Sequence, residues 1–192
     1  MRDTPKLMLR RLCSAMDAGE SMTFIPFWGH TPHKSGRITK SCLSQWWLGD
    51  FIVDGVTYCC MEQYMMASKA RLFGDGETLQ EIMAARDQAT IKALGRKVRG
   101  FVPEVWDEAK FDIVCTGNRQ KFSQQPALLE YLLSTGDAVL VEASPYDGIW
   151  GVRLPIDAPE IRDPRLWQGE NLLGFALMEV REALRRDCPA QA

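Results

Sequence analysis

The chain has 192 residues, 46% of them hydrophobic and 25% charged, with a formal net charge of −2. This length suits one domain with a sizeable core, and the composition excludes a disordered chain. The near-neutral charge speaks against a general nucleic-acid or membrane-surface binder but leaves room for a local basic pocket.

The opening residues, MRDTPKLMLRRLCSAMDAGE, do not read as a signal peptide, because Lys6, Arg10 and Arg11 interrupt the apolar positions. Thr4 and Pro5 read as the N-cap and first residue of a helix with the stripe Leu9, Leu12, Cys13 and Met16, ending near Gly19. MTFIPFWG (22–29) predicts a strand, and Pro26 marks it as an edge or irregular one. A polar, basic loop over 34–41 follows. CLSQWW and DFIVDGVTYCC read as short strands, the second split by the hairpin pair Asp54-Gly55. Helices are expected over about 60–73, closed by Gly74, over 77–85, and from Asp87 through Lys97. Pro103 opens a long helix to about Ser123, and Pro126 another that stops at Gly136. AVLVEAS (138–144) is a buried-strand run. Residues 153–169 form a long irregular segment, and NLLGFALMEVREAL (171–184) an amphipathic helix with Asn171 as its cap. The strands are short and do not alternate regularly with helices. The expectation is therefore an α+β fold, a helix-rich single domain with a small sheet.

No apolar run has the length of a membrane-spanning helix. Cys13, Cys42, Cys59, Cys60, Cys115 and Cys188 form no C-x-x-C pair and read as reduced thiols in a cytoplasmic protein. His30 and His33 make an H-x-x-H with no third ligand nearby, so no metal site is expected.

Four places combine turn chemistry, aromatic surface and charge. In SQWW, successive strand side chains alternate, so one of Trp46 and Trp47 should face outward or into a cleft, where an indole suits stacking on a heterocycle; plain core and rim packing is the alternative. In EQYMMASKA, Glu62 and Lys69 stand seven residues apart and share one helix stripe, about 10 Å apart along the axis. That spacing suits bracketing a ligand, against the blander reading of a solvated helix edge with Glu62 at the positive end of the dipole. In LVEASPYDGIWG, a buried strand ends and Glu142, Asp147 and Trp150 follow; a rigid strand feeding an exposed loop is a common active-site arrangement, though Asp147 is also an ordinary turn residue. Lys92, Arg96, Lys97 and Arg99 could hold phosphate, or could simply offset a helix C-terminus. P-loop, Rossmann and G-x-S-x-G signatures are missing. What remains is acid chemistry beside aromatic surfaces without a required metal, which fits cleavage of a glycosidic bond to a base.

Together these stretches, with IKALGRKVRGF, VW, GNRQKF, LLSTGDAVLVEASPYDGIWG and LWQGENLLGFALMEVREAL, resemble the NADAR (YbiA-like) family over roughly residues 24–185. The resemblance frames residues 1–22 as an N-terminal extension, 23–187 as the catalytic domain and 188–192 as a tail. It implies an N-glycosidase without a cofactor. The expected substrates are early riboflavin-pathway intermediates, the ribosylaminopyrimidine phosphates. The alternatives are removal of ADP-ribose from guanine in nucleic acid, or a non-catalytic ADP-ribose or nucleotide-binding module. Carried over by position, Glu62, Lys69 and Asp147 are the catalytic set, and Trp46, Trp47, Trp150, Gln63 and Asn171 the substrate contacts. Gln63 stands where many members have histidine, which argues against a histidine role there. Lys69 could act as a cation, or as an amine that forms a Schiff base with the ring-opened sugar. One carboxylate, raised in pKa by burial, would protonate the leaving base while the other positions water.

Overall fold

The structure, a computed structural model, describes residues 3–187. The tail 188–192, with Cys188, and the first two residues lie outside the described residues. In chain order the elements are α1 (Pro5–Asp17), β1 (Phe24–Phe27), a 3-10 turn (Lys40–Leu43), β2 (Phe51–Val53), β3 (Val56–Tyr58), α2 (Met61–Leu72), α3 (Gly76–Ala84), α4 (Gln88–Gly95), α5 (Pro103–Gln124), α6 (Pro126–Ser134), β4 (Val139–Glu142), two further 3-10 turns (Pro159–Arg162 and Pro164–Leu166) and α7 (Leu172–Asp187). This is the α+β class expected, rich in helix with two small sheets. Among the described residues no helix is long and apolar enough to cross a membrane.

Two compact units divide the chain: 1–28 with 130–192, and 29–129. In the first, β1 and β4 pair in parallel, Phe24 opposite Val139 and Phe27 opposite Glu142. With only two strands each is an edge, which accommodates Pro26. Val139, Val141, Ala143, Val152, Leu154 and Ile161 form a buried apolar cluster, with Leu12 of α1, Met22 and Trp167 packed on it. Thr4 caps α1 by accepting from Leu7 N–H, as its sequence signals require. The irregular stretch after residue 152 is tied down by buried Ile161, whose carbonyl accepts the Trp167 indole N–H at 3.0 Å.

In the second unit, β2 and β3 form the expected hairpin, Phe51 opposite Tyr58. Asp54 (φ 49°) and Gly55 (φ 78°) both take the positive φ that a two-residue primed turn needs. The segment CLSQWW is not a strand. It is the 3-10 turn followed by a tight turn, because Lys121 of α5 draws two of its carbonyls inward, Cys42 O at 2.6 Å and Ser44 O at 3.2 Å. Helix α2 is the centre of this unit and packs against α3, α4 and α5. Its close neighbours are allowed by glycine: a Cβ on Gly95 of α4 would overlap Met66 Sδ, and one on Gly117 of α5 would overlap the Tyr64 ring. Burial therefore runs almost all round α2, from Met61 through Ala67 and again at Ala70.

Candidate active site

Helix α2 begins at Cys60, which offers no side-chain cap. Two other residues serve its first turn. Gln45 accepts the Glu62 N–H on its carbonyl at 2.9 Å, and Gln63 turns its Oε1 back to the Cys59 N–H at 2.8 Å. The Gln63 amide nitrogen donates to Ile82 O at 3.0 Å and Ala85 O at 2.9 Å, tying the end of α3 to the start of α2. Its carboxamide is thus committed to backbone at both ends.

Glu62 is 3% exposed, which removes the solvated-edge reading. Lys69 follows on the same stripe of an unbroken helix, in its last turn. Its Nζ donates to Gly95 O at 2.9 Å and lies 4.1 Å from the Phe101 ring centre and 5.8 Å from that of Trp106. Two aromatic faces and a carbonyl stabilise the cation, but burial dominates and holds the Lys69 pKa below its ordinary value. Phe101 is kept there by the loop before α5. Asp75, 4% exposed, caps α3 through Thr78 and also accepts from Arg99 N–H at 2.9 Å and from its guanidinium at 2.5 Å. Those donors hold the Asp75 carboxyl far below the usual carboxylate range. Arg99 is thereby spent on Asp75 and Glu77.

Trp47 is buried and Trp46 half-buried, so one of the pair does reach a partly open position. The Trp46 ring has His30 at 5.4 Å and the Lys92 ammonium at 5.8 Å, and its carbonyl accepts from Gln88 at 2.9 Å. Lys92 lies one helical turn before Gly95 on α4, the carbonyl that holds Lys69. Behind this turn sits Lys121, 1% exposed. Burial pushes its pKa down to about 8, partly offset by the neighbouring Cys42 and Cys60 thiols, which burial itself pushes up to about 11 and about 12.

In the first unit the SPYDGIWG turn is built otherwise. Asp147 Oδ1 accepts both Ile149 N–H and Trp150 N–H at 2.9 Å, and Ser144 Oγ accepts the Asp147 N–H at 3.2 Å. The carbonyls of Ile149, Trp150 and Gly151 accept from Leu172, Leu173 and Asn171, so this turn caps the start of α7. Gly169 packs so closely on Gly148 and Gly151 that a Cβ there would overlap Gly151 O. Asn171 takes φ 51° and begins α7 through its carbonyl, but its side chain does not cap. Instead Oδ1 accepts from Glu142 N–H at 3.0 Å and Nδ2 donates to Leu140 O at 2.9 Å, locking α7 to β4. Fully buried and so engaged, it is a brace for the turn, with both ends of its amide on β4.

Sequence reasoning missed Phe101, Trp106 and Lys121. Lys121 carried a signal: it falls on the stripe of Val114, Asn118 and Phe122, where a charge interrupts the buried face of α5. Among the described residues no group of three or more His, Cys, Asp or Glu is placed to hold a metal ion, and Cys13, Cys42, Cys59, Cys60 and Cys115 are in no disulfide.

Fold and site together define a helix-rich α+β protein with a buried acid and a desolvated lysine on one central helix. The chain belongs to the NADAR family: the NADAR domain matches residues 26–185. N-glycosidase R617 of Acanthamoeba polyphaga mimivirus is 44% identical over 168 residues, covering 85% of this chain and 97% of that one. N-glycosidase YbiA of Escherichia coli is 32% identical over 132 residues, covering 69% and 74%. The NMR structure of E. coli YbiA superposes with a TM-score of 0.70 at 27% identity, over 88% of this chain and 89% of that one. The maize chloroplastic riboflavin biosynthesis protein PYRR is 32% identical over 146 residues, 72% of this chain but 22% of its own length.

Proposed function

We propose that the protein is an N-glycosidase that hydrolyses the bond between a phosphorylated ribose and a base nitrogen, with ribosylaminopyrimidine phosphates as its substrate class. The names of R617 and YbiA support the reaction, and that of the maize protein supports the pathway. The observation that carries the reading is the pairing on α2: a buried Glu62, and seven residues on a Lys69 whose amine is desolvated between aromatic rings.

Breaking the C–N bond requires a proton for the leaving nitrogen and relief of positive charge at the sugar carbon. Glu62 supplies the carboxyl chemistry. Lys69, with its lowered pKa, holds a larger share of free amine than an ordinary lysine does at the same pH. It adds to C1 of the ring-opened sugar, the base departs with a proton, and water then hydrolyses the lysine imine to free ribose phosphate and restore the amine. Lys92, beside Trp46, is the cation assigned to the phosphate, and Trp46 the surface on which the base stacks.

The test incubates the protein, with no metal added, with a ribosylaminopyrimidine phosphate and separately with ADP-ribosylated guanine DNA, and follows product by mass spectrometry. Free base is expected from the first. Release from the second alone would move the function to nucleic acid, and release from neither would end the enzymatic reading. Borohydride should trap a sugar adduct on wild type and not on Lys69→Arg, which keeps charge but not amine nucleophilicity; that variant should lose at least about a hundredfold in rate, roughly 2.7 kcal/mol of barrier. Full activity in Lys69→Arg would exclude the imine route.

A further inference from the structure

Helix α2 has a second face. At about 100° per residue, Tyr64, Ser68 and Arg71 fall on the side turned away from Glu62 and Lys69. With the β2–β3 hairpin and α5 they border a cleft of about 440 Å³, within the roughly 300–1,000 Å³ of small-molecule sites. Its apolar lining is Val53, Val56, Leu72 and Ile113. Charges of opposite sign also line it, Asp54 from the hairpin turn and Arg71 from the last turn of α2. Neither forms an ion pair or a side-chain hydrogen bond among the described residues. The Arg71 guanidinium instead lies 5.7 Å from the ring centre of Tyr58, a residue 2% exposed and set edge-on to Tyr64 at 5.1 Å. This contact orients the planar fork and leaves its N–H groups unclaimed by an acid. Both charges also act on the Tyr64 phenol, whose pKa is raised chiefly by burial: the Ser68 hydroxyl and Arg71 lower it, and Asp54 raises it. Two opposite charges thus reach one tyrosine without meeting each other, and the space between them is lined by apolar side chains.

We propose that this cleft is a second binding site, for a small zwitterion whose apolar body lies between a carboxylate or phosphate on Arg71 and an ammonium on Asp54. Arginine pairs with either anion through two parallel N–H donors, so the chemistry is shared between the two. The apolar lining supplies the burial that two exposed charges alone would lack. The site is independent of the reaction proposed for Glu62 and Lys69.

The experiment is a methyl-detected NMR titration of the full chain, on wild type, Arg71→Gln and Asp54→Asn. The probes 4-(aminomethyl)benzoate and tyramine phosphate carry both signs at opposite ends of a ring; benzoate, phenyl phosphate and benzylamine carry one. At least one of the first two should shift the methyls of Val53, Val56, Leu72 and Ile113, and bind about tenfold or more tighter than any single-sign probe. Which of the two does so identifies a carboxylate or a phosphate. Arg71→Gln should weaken that probe by about tenfold or more, the size of one hydrogen bond to a charged group. Asp54→Asn keeps a residue that tolerates the positive φ of the turn; it should leave benzoate or phenyl phosphate unchanged and remove the advantage of the amine. Both positions are exposed, so methyl signals away from the cleft should match wild type in each variant. No shift of the cleft methyls by any probe at millimolar concentration would reduce the cleft to a solvated face. Two-sign probes that bind no better than single-sign ones, or an affinity that survives in Arg71→Gln, would equally overturn the proposal. The N-glycosidase reading fails separately, through the absence of base release from glycosylated substrates.

Discussion

Two regions hold polar side chains at the places chemistry would need them, and they hold them differently. In the first unit, Asp147 and Asn171 are spent on backbone: one closes a turn with two N–H donors, the other braces β4 with both ends of its amide. In the second, Gln45 keeps an unmet acceptor, Lys69 has a lowered pKa and Lys121 lies wholly out of water. Satisfied polar groups are explained by the fold they support. Groups desolvated at a cost and left partly unsatisfied need another reason, and in enzymes that reason is usually a ligand or a reaction.

The comparison breaks most sharply at Glu62. Glu62→Gln keeps shape, and the residue's N–H bond to Gln45 O is independent of the side chain. If the second unit holds the chemistry, base release should fall about a thousandfold, roughly 4 kcal/mol of barrier, with the fold retained by circular dichroism. A loss under about threefold would return the buried carboxylate to a structural role.

Lys121 sharpens the comparison through stability. In the unfolded chain its amine titrates near 10.4; in the fold it does so at about 8. Near pH 7 both states are charged, and burial costs about 3 kcal/mol. Between pH 8 and 10 the folded amine has lost the proton that the unfolded chain still holds, so folding stability rises with pH by up to that amount. Lys121→Met has no such rise, although it leaves Cys42 O and Ser44 O short of a donor. Urea unfolding of both proteins at pH 7, 8, 9 and 10 measures the difference, from which the cysteine and tyrosine contributions cancel. Parallel curves would mean that the amine is not held out of water.

How far these regions could be read from sequence follows from the range of the interactions. The helix boundaries were legible because Thr4, Pro5, Asp87, Pro103, Pro126 and Gly74 act within a few residues of themselves. The Asp54-Gly55 hairpin was legible for the same reason. CLSQWW was misread because its apolar and aromatic residues suit a strand, while the group that bends it, Lys121, arrives from α5. Asn171 was placed correctly at the start of α7, but its side-chain partners on β4 are tertiary and left no local trace. Glu62 looked solvated because a helix buried nearly all round gives a pattern with little contrast between faces. The candidate site was thus legible in residue type and motif spacing, and illegible in which groups the fold leaves unsatisfied.

Asp147 is where the contrast between the regions is most open to attack, and where the smallest effect is expected. The turn uses one carboxylate oxygen for both of its N–H donors, so Asp147→Asn can keep that acceptor and hold the turn, whereas Asp147→Ala cannot. A purely structural Asp147 would tolerate asparagine, losing neither melting temperature nor rate, and would fail with alanine on both counts. A carboxylate that also acts on substrate would separate the two readouts. Asp147→Asn would then melt within about 2 °C of wild type, the shift expected for well under 1 kcal/mol, yet lose about tenfold or more in base release. The family resemblance favours that split, and the hydrogen bonds of the turn show only that asparagine can take up the structural half of the work. Measuring both quantities on the same two variants decides whether catalysis draws on this corner or on α2 alone.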